Sequence, residues 1–335
     1  ITVSVNDGFS ALSHQWNLTV YDRYNSTTLQ NINLSNRSIT MYGTYYFNNL
    51  NVQNTNINIF AYDGSPESGT LFFNASNITM DNLSTINGNS TGFYTGDGGP
   101  GEGSPSYGGS YGGVGSGGPP VYGTTNEHDI DKGSAGGSAV QGSCVPPPGP
   151  GGNGGGLVYL NATNNVTLGG MGLYVNGGTG SGRPCAGYGK AAGGGSGGGI
   201  LIIGKYVNAS YSTLQANGGN GGTAPGGAED PNPPRGGGGG RIKFISINDN
   251  TNNISTAITV SGGTSNGQVG TIYYYGMPNA STLTPSTSNF FVNYSWISGF
   301  DTDTFNVSYN DTWINDSSLS YINRSVGPHG WGNIS

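Results

Sequence analysis

Asp129 and Asp131 have a spacing that points to a ligand in this 335-residue chain. They lie in Asn126-Glu127-His128-Asp129-Ile130-Asp131-Lys132-Gly133, a D-x-D-x-G fragment of a calcium loop. The twelve-residue pattern with its closing Glu is missing, so the alternative is a solvated turn. Calcium is the one cofactor the sequence raises. Cys144 and Cys185 are the only cysteines. In an oxidising exterior they are expected to pair as a disulfide, the alternative being two inert thiols. A third chemistry is sugar transfer onto an amide nitrogen. N-x-[ST] occurs at 19 positions: Asn17, Asn25, Asn33, Asn36, Asn74, Asn77, Asn82, Asn89, Asn161, Asn165, Asn208, Asn253, Asn279, Asn293, Asn306, Asn310, Asn315, Asn323 and Asn333. With 40 Asn and 67 Ser plus Thr, about eight would arise by chance. Either an Asn/Ser/Thr-rich strand protein makes sequons incidentally, or this is a densely N-glycosylated exterior protein; the excess favours the second.

Other chemistry finds little support. His14, His128 and His329 are far apart, and HExxH, GxSxG, P-loop and CxxC are all missing. The expectation is no catalytic residue and no enzyme. A solenoid polysaccharide lyase or hydrolase stays as a remote alternative, requiring paired carboxylates in a groove. Ten Lys+Arg against 17 Asp+Glu give a net charge of −7, which leaves no basic footprint for nucleic acid. No apolar window has the length of a membrane span. Good helix formers are scarce, whereas Gly, Asn, Ser, Thr and Tyr favour turns and strands, so the expected class is all-β.

The elements that must carry these residues repeat. Of 65 glycines, 51 lie between Gly92 and Gly240, interrupted by short apolar runs. Units beginning at Gly43, Gly69, Gly156, Gly199 and Gly240, with a partial one at Gly270, align: Gly, an apolar strand, an Asn-rich corner, then a second alternating segment. A unit of about 20–25 residues is one coil of a parallel β-solenoid, whose apolar face is buried only by stacking. The expected core includes Leu71, Phe73, Val158, Leu160, Leu201, Ile203, Ile242 and Phe244. A sandwich of hairpins is the alternative, but the spacers are too long and variable for tight turns. Asn74, Asn161 and Asn208 fall at like positions, forming either a row of glycans or an internal amide ladder.

The long Gly-rich inserts, at about 89–155, 178–198 and 219–239, leave from one point of the unit and should lie side by side. Lying in parallel, such segments adopt extended, polyglycine-II-like three-fold helices that bond laterally; the alternative is floppy loops. Cys144 and Cys185 sit in two adjacent inserts.

The ends have another texture. Residues 1–22 read as two terminal strands of an immunoglobulin-like sandwich, 23–275 as the solenoid, 276–289 as a Pro/Ser/Thr linker, and 290–335 as the first strands of such a sandwich. The chain begins at Ile1, which is taken as a processed form or an excised segment. Joined end to end, Asn333-Ile334-Ser335-Ile1-Thr2-Val3-Ser4-Val5 alternates without a slip. Ile1, Val3, Val5, Trp16, Trp331 and Ile334 are therefore the expected assembly residues. The flanks are expected to complement each other between successive copies of the chain, which generates a head-to-tail fibre.

GGGSGGGILI, LQANGGNGG and PRGGGGGRIKFIS resemble Gly-rich solenoid segments of large surface proteins in archaea and some bacteria. WISGFDTDTFNVSYNDTWINDSS and VGPHGWGNIS resemble immunoglobulin-like modules of archaeal surface proteins. The resemblance implies an extracellular, envelope-associated or adhesive role and no reaction. The leading expectation is the repeating unit of a glycosylated extracellular filament or surface layer, with copies of itself and N-linked glycans as partners. The alternative is a cell-surface or viral adhesin using Tyr107, Tyr111 and Tyr122 of the inserts as contacts.

Overall fold

The computed structural model describes residues 2–5, 14–17, 29–97, 99–125, 129–140, 149–182, 190–223, 235–246, 254 and 257–275. Among them there are strands and no helix. The first two strands, β1 (Thr2–Val5) and β2 (His14–Asn17), pair antiparallel with Thr2 opposite Asn17 and Val5 opposite His14. The expected linker 276–289 and the expected sandwich strands 290–335 lie outside the described residues.

The remaining strands are β3 (Ile32–Met41), β4 (Gly43–Tyr46), β5 (Asn49–Ile59), β6 (Thr70–Met80), β7 (Thr85–Asn87), β8 (Leu157–Leu168), β9 (Gly172–Tyr174), β10 (Gly199–Gly204), β11 (Tyr206–Asn208), β12 (Thr213–Gln215), β13 (Arg241–Ser246), β14 (Ala257–Thr259) and β15 (Thr271–Tyr275). Every pairing among them is parallel. This is a β-solenoid-like stack. One ladder runs β4-β6-β8-β10-β13-β15. Another runs β5-β7-β9-β12-β14. Between them, the second halves of β6 and β8 stack with β5 and β11. Each complete coil therefore passes along three short faces, and a coil without neighbours would leave its apolar side in water.

Period-two alternation selects the inward side chains. Leu71, Val158, Ile200 and Ile242 stack in register, as do Phe73, Leu160, Ile202 and Phe244, and all belong to the buried core. Tyr45 and Phe47 meet Phe73 edge-on. The expected core needs one correction. Leu201 and Ile203 are buried, but on the opposite face of β10, beside Tyr159 and Lys243 in the register of Leu201. The run Ile200-Leu201-Ile202-Ile203 is apolar at both parities, so alternation has nothing to choose between. Both faces of β10 and β13 are covered.

The inserts leave after β7, β9 and β12 and return at β8, β10 and β13, always between the third face and the first. The described stretches of the inserts bond laterally. Residues 192–198 show the rule. Ala192, Gly195 and Gly198 donate to Ser181, Gly178 and Val175 at 2.8–3.0 Å. Gly193 and Ser196 donate to Gly137 and Ser134, and Gly194 and Gly197 donate to Arg235 and Gly238, all at 2.9 Å. The donor direction thus repeats every third residue, the period of an extended three-residue helix with no internal bonds. Carbonyls on the same segment accept from Gly152 and Gly155, from Gly219 and Gly222, and from Gly109. Segment 192–198 is consequently bonded to six neighbouring stretches, which satisfies buried backbone groups without a sheet. Only glycine permits this approach: a Cβ on Gly193 would stand 1.8 Å from the Tyr107 carbonyl oxygen, and one on Gly195 2.0 Å from that of Asn153.

Candidate functional site

The sequence-marked residues fall into two places: a buried ionic seam under the first insert and columns of asparagine along the coils.

The seam is made by the alternation of Arg241-Ile242-Lys243-Phe244. Ile242 and Phe244 point into the core, so Arg241 and Lys243 must point outward, yet both are buried. The first insert supplies the cover. Arg241 Nη2 donates to the Tyr122 carbonyl at 2.9 Å, and Lys243 Nζ donates to the Thr124 carbonyl at 2.8 Å. Lys243 Nζ also lies 3.2 Å from Asp129 Oδ1. Asp129 takes further hydrogen bonds from the Thr124 amide and hydroxyl. Burial pushes the Asp129 carboxyl up, but the Thr124 bonds and the Lys243 ammonium outweigh it, and the net shift is downward. Burial raises the neighbouring Asp131 carboxyl, against an opposing hydrogen bond from the Lys132 amide. Lys132 in turn reaches the coils: its Nζ bonds the carbonyls of Pro66 and Ser68 at 3.2 Å and sits 4.6 Å from the Tyr62 ring centroid. Burial depresses its pKa.

The two aspartates raised as calcium ligands therefore lie in the seam, with Asp129 engaged by a lysine. Among the described residues no group of three or more His, Cys, Asp or Glu side chains is placed to hold a metal; Asn126, Glu127 and His128 lie outside the described residues. The tyrosine expectation is corrected as well. Tyr111 is buried, its hydroxyl accepting from the Asp131 amide at 2.7 Å. Tyr122 turns its hydroxyl inward to the Lys132 carbonyl, and Tyr107 is half-buried under Arg235, 3.7 Å from its ring centroid. Tyr111 and Tyr122 brace the insert rather than present a contact surface.

The asparagines form columns because parallel in-register coils place equal positions one strand spacing apart. Asn49 donates to Asn31, Asn77 to Asn49 and Asn165 to Asn77, at 2.7, 2.7 and 3.0 Å between amide nitrogen and oxygen. Asn161 donates to Asn74 at 3.0 Å, Asn54 to Asn36 at 2.8 Å and Asn51 to Asn33 at 3.4 Å. At the corner where inserts leave, Asn89 Oδ1 accepts the Asn176 amide, Asn176 Oδ1 the Asn217 amide and Asn217 Oδ1 the Ser261 amide, each at 2.8 Å.

The expected row Asn74, Asn161, Asn208 is only partly right. Asn74 and Asn161 are partners, but Ile203 follows Asn161, while Asn208 lies on β11 opposite Thr167. The chain turns the corner at Gly204–Lys205, which carries Asn208 to the next face. Of the other sequons, Asn33, Asn36, Asn82, Asn89 and Asn165 are exposed and Asn77 is half-buried. Asn17 ends β2. Asn25, Asn253, Asn279, Asn293, Asn306, Asn310, Asn315, Asn323 and Asn333 lie outside the described residues, as do Cys144 and Cys185 and the assembly candidates Ile1, Trp331 and Ile334. Val3, Val5 and Trp16 lie in the β1–β2 pair, where Val3 and Trp16 are backbone partners in the register.

Sequence reasoning missed the ladder members Asn31, Asn49, Asn176 and Asn217 and the roles of Arg241 and Lys243. The alternation R-I-K-F gave only their outward parity, which is equally the pattern of a strand with one face in water, so the cover was not legible. No protein-family model matches this chain, and no curated protein or solved structure does. No helix among the described residues is long and apolar enough to cross a membrane.

Proposed function

We propose that this chain is the structural repeating unit of a glycosylated extracellular filament or surface layer. Successive units join head to tail by completing an immunoglobulin-like sandwich from the last strands of one copy and the first strands of the next. The observation that carries this reading is the unbroken apolar alternation across the joined ends, from Ile334 through Ile1, Val3 and Val5. A one-residue slip would have moved every following side chain to the other face. The antiparallel pairing of β1 with β2 supports it, because the two final strands of a sandwich pair in this way.

The middle of the chain suits a spacer. Parallel ladders and polyglycine-II-like inserts fix its backbone along and across the stack. Few charges are needed for solubility if sugars coat the exposed sequons. The unit performs no reaction in this reading, and its partners are copies of itself and N-linked glycans. Electron micrographs of native material test it. Filaments or sheets repeating at one chain length support it; isolated compact monomers overturn it.

A further inference from the structure

Seven of the 19 sequon asparagines have an aromatic residue two positions earlier, where a composition of 11% aromatic supplies about two. Three of these pairs lie in described strands: Phe72 with Asn74, Tyr159 with Asn161, and Tyr206 with Asn208. The other four fall in the last 45 residues, preceded by Phe, Trp, Tyr and Trp.

In a strand, residues two apart share a face at about 6.7 Å, twice the rise per residue. Leu71, Phe73, Val158, Leu160 and Val207 occupy the inward parity, so all three pairs face outward. Phe72 and Tyr159 are cross-strand partners with ring centroids 5.4 Å apart, edge to face, and both are half-buried. Two of the three carboxamide oxygens accept hydrogen bonds: Asn74 Oδ1 from the Asn161 amide nitrogen at 3.0 Å, and Asn208 Oδ1 from the Ser210 amide and hydroxyl at 3.1 and 2.6 Å. Asn208 is exposed, and its carboxamide is held through its oxygen.

We propose that these outward aromatic rings are packing platforms for the first sugar of an N-linked glycan carried two residues later. The inference rests on the glycoprotein reading above. A pyranose presents a face of weakly positive C–H groups, which complements the negative face of an aromatic ring, and the contact removes apolar surface from water. Attachment forms a bond from Nδ2 to the anomeric carbon, at the expense of one N–H proton and of the phosphate leaving group of an activated sugar donor. One N–H remains on the substituted amide, so the nitrogen keeps a donor. The ligand class is a pyranose joined to the amide; the platform orders it against the coil.

Tyr206–Asn208 is the test site. Glycopeptide mass spectrometry on native protein reads occupancy at Asn208. Melting temperatures are then compared for the parent, Tyr206→Ala and Tyr206→Phe, each made in the native host and in a host without N-glycosylation. The expected result is sugar on Asn208 and a Tyr206→Ala loss about 2–4 °C larger in the glycosylated chain. Tyr206→Phe should retain the glycosylated value. Equal losses in both hosts, or a bare Asn208 beside occupied sequons elsewhere, would overturn the platform while leaving the glycoprotein reading intact. Bare asparagine at all 19 positions would overturn both.

Discussion

Lys243 Nζ lies 3.2 Å from Asp129 Oδ1, joining residues 114 apart in sequence. The pair fastens the first insert to the outside of β13. Its folded-state carboxyl pKa lies below the unfolded value of 3.8. Asp129 therefore contributes stability fully above that value, and the contribution is lost as pH falls through the folded value. Asp129→Asn is expected to cost about 1–2 kcal/mol at neutral pH, held down because Asp129 is partly in water. The variant should also lose part of the acid-dependent fall in stability. Urea melts at pH 7 and pH 3 check both; an unchanged gap between parent and variant at the two pH values contradicts the assignment.

Glycine in the bundle and glycine at a coil corner should respond differently to a methyl group. Gly195→Ala places a Cβ 2.0 Å from a backbone oxygen, whereas at Gly169 the nearest atom is 3.3 Å away. Gly195→Ala is expected to cost about 3 kcal/mol or more through forced separation of two chains, and Gly169→Ala well under 1 kcal/mol. Denaturant midpoints of the two variants decide it; equal effects would mean that the helices have room to part.

Lateral bonding also makes a loop-like composition behave as core. Amides of Gly193, Gly194, Gly195, Ser196 and Gly197 should exchange with solvent as slowly as those of β8 and β10, since each is bonded to another segment. Exchange within seconds across 192–198 would contradict the packing.

Val140 and Lys190 exchange both backbone hydrogen bonds, at 3.0 and 3.1 Å. Cys144 follows Val140 by four residues and Cys185 precedes Lys190 by five, so the chain has the reach to join them. A disulfide is expected in non-reducing peptide maps. Its reduction should lower stability by about 4 kcal/mol in the chain-entropy account of a loop of this length. Two free thiols in oxidised native protein would remove it.

The ladder Asn31–Asn49–Asn77–Asn165 gives another variant. Asn77 both donates and accepts in this column. Asn77→Ala is expected to lose about 1–2 kcal/mol, measured by thermal melting of unglycosylated protein so that sugar loss plays no part. No change would reduce the column to a coincidence of register.

Coils were readable where one face is apolar and the other is not. Leu71, Phe73, Val158 and Leu160 alternate with Phe72, Asn74, Tyr159 and Asn161, and the parity settled which side is buried. It failed at Ile200–Ile203, because the cover over that strand comes from a segment far away in sequence. The seam was hidden for the same reason: Asp129 reads as a turn carboxylate until β13 is laid beneath it. Tyr111 looked like a surface residue because its neighbours are glycines, and composition says nothing of a chain packed on all sides. The ladders were half visible. Sequons drew attention to Asn77 and Asn165, whereas Asn31 and Asn49 follow only from stacking distance.

The three-residue donor cycle of segment 192–198 also limits how such a chain can change in length. Adding or deleting three residues within a packed helix returns each amide to the neighbour it had before. Adding one or two turns every later donor through a third or two thirds of a revolution, toward partners whose carbonyls are already taken. Because each insert goes out and comes back, a change on one limb needs its match on the other. Tolerated length variation in these inserts should therefore come in threes, and in pairs of limbs, like adding whole courses to brickwork.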